Sequence, residues 1–215
     1  MTRGIKKGYK RIIFCKRCNF ETGSASKKQM KREEELKIIE RILNGETALY
    51  NQLVNLHAPR ILSVVRGVVS GREDAEEVAQ DVFVKAYFSL KSFRGECSFS
   101  TWLFRIAFNM SVSKARQRRT EHVPMEKSAA VPDTSAESRE ESMDKENRFR
   151  ILYKAIDELE PSDRFLILSF YNHEKSIKEI CDICGMTESN VKVRLHRIKK
   201  RLGVMLGDKM EVCYG

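Results

Sequence analysis

The side chains with the clearest chemical meaning lie near the C-terminus, where a predicted helix carries many cations. Its apolar positions, spaced by four, three and four residues, are Val191, Leu195, Ile198 and Leu202. The polar and basic side chains opposite or beside this stripe are Ser189, Asn190, Lys192, Arg194, His196, Arg197 and Lys200. Amide and guanidinium groups hydrogen-bond to base edges in the major groove, while other cations hold phosphates. The pattern therefore predicts a DNA-contacting helix, with a solvated basic surface helix as the alternative.

A short helix and a turn precede this segment, in the order of a helix-turn-helix. Ser176 and Glu179 have the spacing of a capping box, in which each side chain bonds to the other's backbone N–H. Gly185 can take the left-handed backbone of a sharp turn, and Thr187 is a good N-cap for the next helix. We therefore predict that the second helix of this motif enters the major groove.

Cysteine pairs offer a second kind of chemistry. Cys15 with Cys18, and Cys181 with Cys184, both have the Cys-x-x-Cys spacing and together could supply the four thiolates of a structural zinc site. The second pair is predicted on the inward face of the short helix, where cysteine acts as a small hydrophobe. The favoured prediction therefore contains no metal and no cofactor. The competing hypothesis is a DNA-binding regulator with a zinc- or redox-responsive cysteine site.

Catalytic motifs are missing from the sequence. It contains no Gly-rich phosphate loop ending in lysine, no His-Glu-x-x-His and no nucleophile elbow. The histidines are scattered; we expect His57 on a helix surface and His196 on the basic face. We predict that the chain is not an enzyme.

Helical periodicity also organises the N-terminal part of the chain. A helix is predicted from about Glu33 to the stop signal at Asn44-Gly45, and a second runs to Ser70-Gly71, with Pro59 kinking or breaking it. The third, residues 74–90, has the most continuous apolar stripe and an acidic first turn that suits the helix dipole. A loop, Phe93 to Phe99, leads into a fourth helix that Ser100 or Thr101 can cap and that ends in cations.

These elements predict an all-α protein with two small helical domains joined by a flexible acidic linker. The predicted boundaries are 1–29 for a basic N-terminal extension, 30–119 for the first domain, 120–146 for the linker, 147–207 for the second domain and 208–215 for a tail. The net charge of +10 resides mostly in the extension, so it is weak support for nucleic-acid binding by itself. We expect a cytoplasmic protein that does not insert into membranes.

Several segments together resemble the extracytoplasmic-function (ECF) sigma factors of bacterial RNA polymerase. They are Asp74–Phe83 (DAEEVAQDVF), Phe93-Arg94-Gly95, Ser100–Asn109 (STWLFRIAFN), and Leu159-Glu160-Pro161 through Leu202. The similarity extends from about Lys31 to Leu206 in the family's order. It implies a subunit that binds core RNA polymerase through β′ and β, recognises promoter DNA and directs transcription initiation. An inhibitory anti-sigma partner is also implied. The extension before Met30 and the cysteines at 181 and 184 depart from the family pattern.

The resemblance assigns three sets of residues. Those implied to bind core polymerase are Glu77, Gln80, Asp81, Val84 and Phe88. Those implied to contact the opened minus-ten strand are Phe93, Arg94, Phe99, Asn109, Ser113 and Arg116. The helix-turn-helix residues given above are implied to read the minus-thirty-five duplex. A DNA-binding regulator that acts without joining polymerase is the remaining alternative, and the apolar Val84 and Phe88 on the first domain argue against it.

Overall fold

A computed structural model describes residues 32–121 and 150–211 of the chain. In these two parts every regular element is helical. The α-helices are α1 (Arg32–Leu43), α2 (Tyr50–Arg66), α3 (Arg72–Phe88), α4 (Phe99–Glu121), α5 (residues 150–157), α6 (Pro161–Tyr171), α7 (Ile177–Cys184) and α8 (Glu188–Glu211). Single 3-10 turns occupy Thr47–Leu49 and Leu90–Ser92. The predicted basic extension, Cys15, Cys18, nearly all of the predicted linker and the end of the tail lie outside the described residues.

Helices α2, α3 and α4 form the core of the N-terminal half, and α1 packs against α2. Val65, Val82 and Leu103, one from each of the three core helices, have no exposed surface. Helix α3 buries the apolar stripe predicted for it, because its small and branched residues recur once per turn on one side. None of the described helices is long and apolar enough to cross a membrane.

Of the two expectations for α2, the short break at Pro59 does not occur, and the surface position of His57 was wrong. The helix runs through Pro59 without a break, because Leu53 and Ile61 on either side are completely buried and their packing outweighs the hydrogen bond that proline cannot make. His57 does not lie on the surface; it is 6% exposed, and its Nε2 lies 3.1 Å from Oε1 of the equally buried Glu35. A polar group this deeply buried needs a partner, and Glu35 of α1 provides it.

The C-terminal half has the helix-turn-helix that the sequence predicts. Ser176 accepts a hydrogen bond from the backbone N–H of Glu179, and the Glu179 side chain accepts one from the backbone N–H of Ser176. Gly185 ends α7 in the left-handed conformation, with φ of 69°. Thr187 Oγ1 then accepts a 3.4 Å hydrogen bond from the backbone N–H of Asn190 at the start of α8. These local signals set the angle between α7 and α8.

The two halves pack against each other through α4, which contacts both α6 and α7. The ring of Phe165 lies edge-on to Phe104 at 6.2 Å and to Phe108 at 5.2 Å between centroids. Both Phe104 and Phe165 are 1% exposed, so the apolar cores of the two halves are continuous.

Candidate nucleic-acid and polymerase interfaces

The outer face of α8 presents the cations and amides that the sequence predicts for DNA contact. The apolar stripe is buried, with Val191 at 0% exposure and Leu195, Ile198 and Leu202 at 4%, 2% and 4%. Six of the seven predicted side chains are exposed: Ser189, Asn190, Lys192, His196, Arg197 and Lys200. Val193, which is 46% exposed, lies among them. The face therefore offers hydrogen-bonding groups at its N-terminal end and positive charge further along, as a major-groove helix requires.

Arg194 differs from the other predicted reading residues because its side chain is turned towards α6. Its Nε donates a 2.5 Å hydrogen bond to Oδ1 of Asp163, and Nη2 donates one of 2.7 Å to Oγ of Ser162. Nη1 lies 3.7 Å from the sulfur of Met186. In this arrangement the guanidinium fastens α8 to the first turn of α6, and it is not presented with the exposed face.

An aromatic cluster supports the loop predicted to contact the minus-ten strand. Phe99 stacks on Trp102 with centroids 5.7 Å apart, and Phe93 packs against both rings. Phe99 is only 2% exposed, so it is not available to a base here and instead forms the floor of the loop. Ser98 caps α4 through a 3.1 Å bond from the backbone N–H of Thr101, which places the cap earlier than Ser100 or Thr101.

The same loop is anchored to α1. Arg32 Nη2 donates a 2.6 Å hydrogen bond to the carbonyl oxygen of Gly95, whose φ of 73° lies in the left-handed region. Arg94 at the neighbouring position is exposed, while Phe93 is partly buried. The aromatic cluster and α1 therefore hold the loop from two sides. Among the DNA contacts predicted for this loop, Arg94 is the most exposed.

Further along α4, the three predicted strand contacts share one exposed side. Asn109, Ser113 and Arg116 are all exposed, and their spacing of four and three residues places them on adjacent turns. Two other cations of α4 are used within the protein: Lys114 Nζ lies 3.3 Å from Glu77, and Arg118 pairs with Asp74. These pairs join the end of α4 to the acidic first two turns of α3. The cationic end of α4 is thus partly neutralised within the protein.

Helix α3 presents an exposed surface of acids and apolar groups. The predicted members are Glu77, Gln80, Asp81, Val84 and Phe88, and all five are exposed. Phe88 is 80% exposed and Val84 53%, unusually high values for large apolar side chains. Tyr87 was not predicted, although it follows Val84 by three residues; it is 36% exposed and its ring lies 5.7 Å from that of Phe88. An apolar patch edged with acids is typical of a surface that binds another protein.

Tyr50 supports this surface from below. Its hydroxyl donates a 2.7 Å hydrogen bond to the carbonyl oxygen of Phe83, and its ring meets that of Tyr87 at 5.0 Å. Burial, with a smaller contribution from Tyr87, raises the pKa of Tyr50 to about 12. The phenol therefore stays protonated and keeps donating to the α3 backbone.

The cysteines in the described parts favour the packing role over metal binding. Burial raises the pKa of both Cys181 and Cys184, which disfavours the thiolate that metals and oxidants require. The Cys184 thiol bonds to the carbonyl oxygen of Ile180 at 2.9 Å. No group of three or more metal-ligating side chains occurs within residues 32–121 and 150–211.

Comparison with known families matches both halves of the chain. Residues 53–121, which include α3 and α4, match sigma-70 region 2. Residues 149–202, which contain the helix-turn-helix, match sigma-70 region 4. The two matches thus cover both surfaces described above, in the order of this family.

Individual sigma factors are similar in sequence to most of this chain. The ECF RNA polymerase sigma factor SigW of Bacillus subtilis is 26% identical over 183 residues, covering 80% of this chain and 96% of the relative. The ECF RNA polymerase sigma-E factor of Escherichia coli K12 is 30% identical over 176 residues, covering 77% and 90%.

Among solved structures, the sigma factor RpoE in complex with the anti-sigma factor NepR from Bartonella quintana is similar in fold. It is 24% identical, with a TM-score of 0.59, and the alignment covers 74% of this chain and 96% of that one. The sigma-E factor of Escherichia coli is 30% identical to this chain and is matched over 90% of its own length, which establishes the family. The chain belongs to the ECF sigma factors, the promoter-recognition subunits of bacterial RNA polymerase.

Proposed function

We propose that this sigma factor divides promoter recognition between its two halves, with the α3 surface binding core polymerase and the outer face of α8 reading duplex DNA. The observation that carries the proposal is the difference between these surfaces. The α3 surface is apolar and acidic, and the α8 face is polar and basic. Acidic and apolar groups suit a protein partner, whereas cations suit phosphates.

Core polymerase binding is assigned to α3. Phe88 and Val84 would supply the apolar centre of the contact, with Tyr87 beside them. Asp81 would supply charge at its rim, where pairing with a basic partner surface speeds and orients association. The family resemblance implies that α3 contacts the β′ subunit of core polymerase.

Capture of the minus-ten strand is assigned to the loop before α4 and to the exposed side of α4. Arg94, Asn109 and Ser113 can hydrogen-bond to bases or backbone of an unpaired strand, and Arg116 adds positive charge. Phe93 and Phe99 are assigned a supporting role, because their rings hold the loop in place. Contacts to unpaired bases offset the cost of separating the strands.

Reading of the minus-thirty-five duplex is assigned to the exposed face of α8. Ser189, Asn190 and Arg197 are placed to reach base edges. Lys192, His196 and Lys200 are placed nearer the phosphates, which fix the position of the helix in the groove. Arg194 is assigned to holding α8 in place because its donors are already used by Asp163 and Ser162.

Other properties follow from this assignment. The chain performs no covalent chemistry; initiation is catalysed by the polymerase that it joins. It acts in the cytoplasm, where polymerase and promoters are located. Its activity is controlled by an anti-sigma partner, in keeping with the solved structures of related sigma factors bound to such partners.

The decisive experiment is in vitro transcription with core RNA polymerase and a genomic template, followed by mapping of start sites with and without the purified chain. We expect new start sites that depend on the chain, each preceded by shared sequence at the minus-ten and minus-thirty-five positions. Tight duplex binding by the chain alone, without any association with core polymerase, would instead identify a conventional DNA-binding regulator.

A further inference from the structure

One face of α1, which has no role in the proposed function, lies against the loop of residues 93–99, called the minus-ten loop below. Arg32, Glu35 and Leu36 share this face, because residues three and four positions apart lie on the same side of a helix. Arg32 Nη2 donates a 2.6 Å hydrogen bond to the carbonyl oxygen of Gly95 in the loop. A Cβ atom added to Gly95 would lie 3.6 Å from Leu36 Cδ2, so the leucine also lies beside the loop backbone.

Glu35 reaches the same loop indirectly, through a buried histidine of α2. Its Oε1 lies 3.1 Å from His57 Nε2, and the two residues are 8% and 6% exposed. The imidazole in turn meets the ring of Phe99 edge-on, with centroids 5.4 Å apart and the planes inclined by 65°. Phe99 packs against Phe93 and Trp102. A continuous series of contacts therefore connects Glu35 to the aromatic cluster that supports the minus-ten loop.

A polar pair at this depth contributes more to geometry than to stability. Taking a carboxyl group and an imidazole out of water costs free energy, and well-packed apolar side chains in their place often leave stability unchanged. Apolar packing alone specifies position less sharply, whereas a hydrogen bond is directional. The bond between Glu35 and His57 fixes the plane of the imidazole, and the imidazole then fixes the ring of Phe99.

We propose that Glu35 and His57 are positioning residues for minus-ten recognition, and that Arg32 positions the loop backbone from the other side. The proposal rests on the minus-ten role assigned above to Arg94. This exposed arginine stands between two anchored neighbours: Phe93 is held by the aromatic cluster and Gly95 by Arg32.

Holding Arg94 in place matters because of what binding costs. A contact that is already in position loses less conformational freedom when the unpaired strand arrives. A displacement of about 1 Å can weaken an interaction far more than the loss of one remote contact would suggest. Loosening either side of the loop should therefore lower the affinity for the opened strand and also the discrimination between bases.

Two variants loosen the loop from its two sides. Arg32→Met removes the hydrogen bond to Gly95 at an exposed position, so the fold should not depend on it. Glu35→Leu combined with His57→Leu replaces the buried pair by apolar groups of similar size. Lys37→Met is the matched control for Arg32→Met, since Lys37 is exposed on a different side of α1 and loses the same charge. Glu35→Gln retains a hydrogen-bonding group for His57 and should behave as the unaltered chain does.

The test uses holoenzyme assembled from core RNA polymerase and each full chain, after circular dichroism has verified helical content. Fluorescence anisotropy measures binding to a single-stranded oligonucleotide with the minus-ten sequence of a mapped promoter, and then to oligonucleotides with one base altered. We expect both loosened variants to bind the original oligonucleotide about tenfold more weakly and to discriminate less between bases. Core affinity and binding to a minus-thirty-five duplex should not change. Lys37→Met and Glu35→Gln should match the unaltered chain throughout.

Full base discrimination in both loosened variants would overturn the proposal. An equal loss of affinity for every oligonucleotide would also count against it, because such a loss is typical of a missing phosphate contact. A parallel loss of core affinity would show that the buried pair serves only the general stability of the N-terminal half. If the double leucine variant does not fold, Arg32→Met and its control decide the outcome, since both positions are exposed.

Arg94→Ala separates this proposal from the proposed function. If base discrimination is unchanged in Arg94→Ala, the minus-ten loop does not read bases and the proposed function is wrong at this point. If discrimination is lost in Arg94→Ala but kept in the loosened variants, the proposed function stands and the positioning role of Glu35, His57 and Arg32 is rejected.

Discussion

Arg194 of α8 and Asp163 of α6 are joined by a 2.5 Å hydrogen bond from Nε to Oδ1, although 31 positions separate them in the chain. Ser162 accepts a second bond from the same guanidinium. The bonds tie the helix that carries the DNA-reading face to the rest of the C-terminal half. Arg194 and Arg197 of α8 therefore have different expected roles, which mutation can separate.

Replacing Arg194 should act mainly on stability. Arg194→Met is expected to lower the free energy of unfolding by about 1–2 kcal/mol, since hydrogen bonds to a charged group are lost from a pair that solvent partly screens. Urea denaturation monitored by circular dichroism measures this change. If Arg194→Lys restores the stability, the charge alone is sufficient. If Arg194→Met is as stable as the unaltered chain, Arg194 does not fasten α8 to α6.

Replacing Arg197 should act on promoter binding and leave stability unchanged. Arg197→Ala is expected to weaken holoenzyme binding to a mapped promoter by about 1–3 kcal/mol and to relax preference at one position of the minus-thirty-five element. Competition binding with promoters altered one position at a time measures both effects. Lys154→Ala, an exposed change on α5, is the control. Equal binding by the Arg197 variant and the control would reject base contact by this arginine.

The α3 surface gives a prediction about the polymerase. Phe88→Ala should reduce affinity for core polymerase about tenfold, because a large apolar side chain at the centre of an interface contributes more than 1 kcal/mol. Asp81→Ala should also weaken binding, and more so at low salt. Because Phe88 is 80% exposed in the free chain, its removal should not lower the melting temperature.

Val204→Ala provides a matched control for Phe88→Ala, since Val204 is 58% exposed on α8, away from α3. Core affinity is measured by titrating labelled chain with polymerase. Normal holoenzyme formation by both the Phe88 and Asp81 variants would remove the docking role from this surface.

His173 makes the stability of the packed chain depend on pH. Burial, and then the cations of Arg60 and Lys175, lower the pKa of His173 to about 4, and its ring packs edge-on against Phe104. The unfolded chain, with a histidine pKa near 6.5, binds the proton more readily than the folded chain. The stability contributed by neutral His173 is therefore complete above about pH 6.5 and declines as the pH falls towards 4.

We expect this histidine to account for a loss of about 1 kcal/mol between pH 7.5 and 5.5. Burial alone would raise the pKa of Glu179, but hydrogen bonds from Lys175 and the Ser176 backbone lower it to about 2. The Glu179 carboxylate therefore stays ionised throughout this pH range. Thermal melts of the unaltered chain and of His173→Gln at both pH values make the measurement. The same pH dependence in both proteins would assign the effect to other groups.

Local signals in the sequence predict the helix-turn-helix well. The capping box of Ser176 and Glu179, the turn at Gly185 and the apolar stripe of α8 each involve residues at most a few positions apart. Their geometry depends on the backbone of a single helix or turn, and the sequence specifies that directly. The comparisons confirm the ECF sigma factor family and the all-α fold on which the functional reading depends.

Long-range pairs could not be predicted in the same way. Buried His57 depends on Glu35, which is 22 residues away, and Lys175 depends on Thr101, which is 74 residues away. No periodicity indicates such partners, because they are determined by how the helices pack. Phe99 and Arg194 illustrate the same limit: both have the residue type of a DNA contact, yet packing assigns the first to the floor of a loop and the second to α6.

The left-handed turn at Gly185 and the buried stripe of α8 fix the orientation of that helix without using any of its outward side chains. Orientation and specificity are therefore encoded at separate positions. Substituting only the outward positions of another sigma factor into this helix should transfer that factor's promoter choice, so new gene sets can be acquired without redesigning the scaffold.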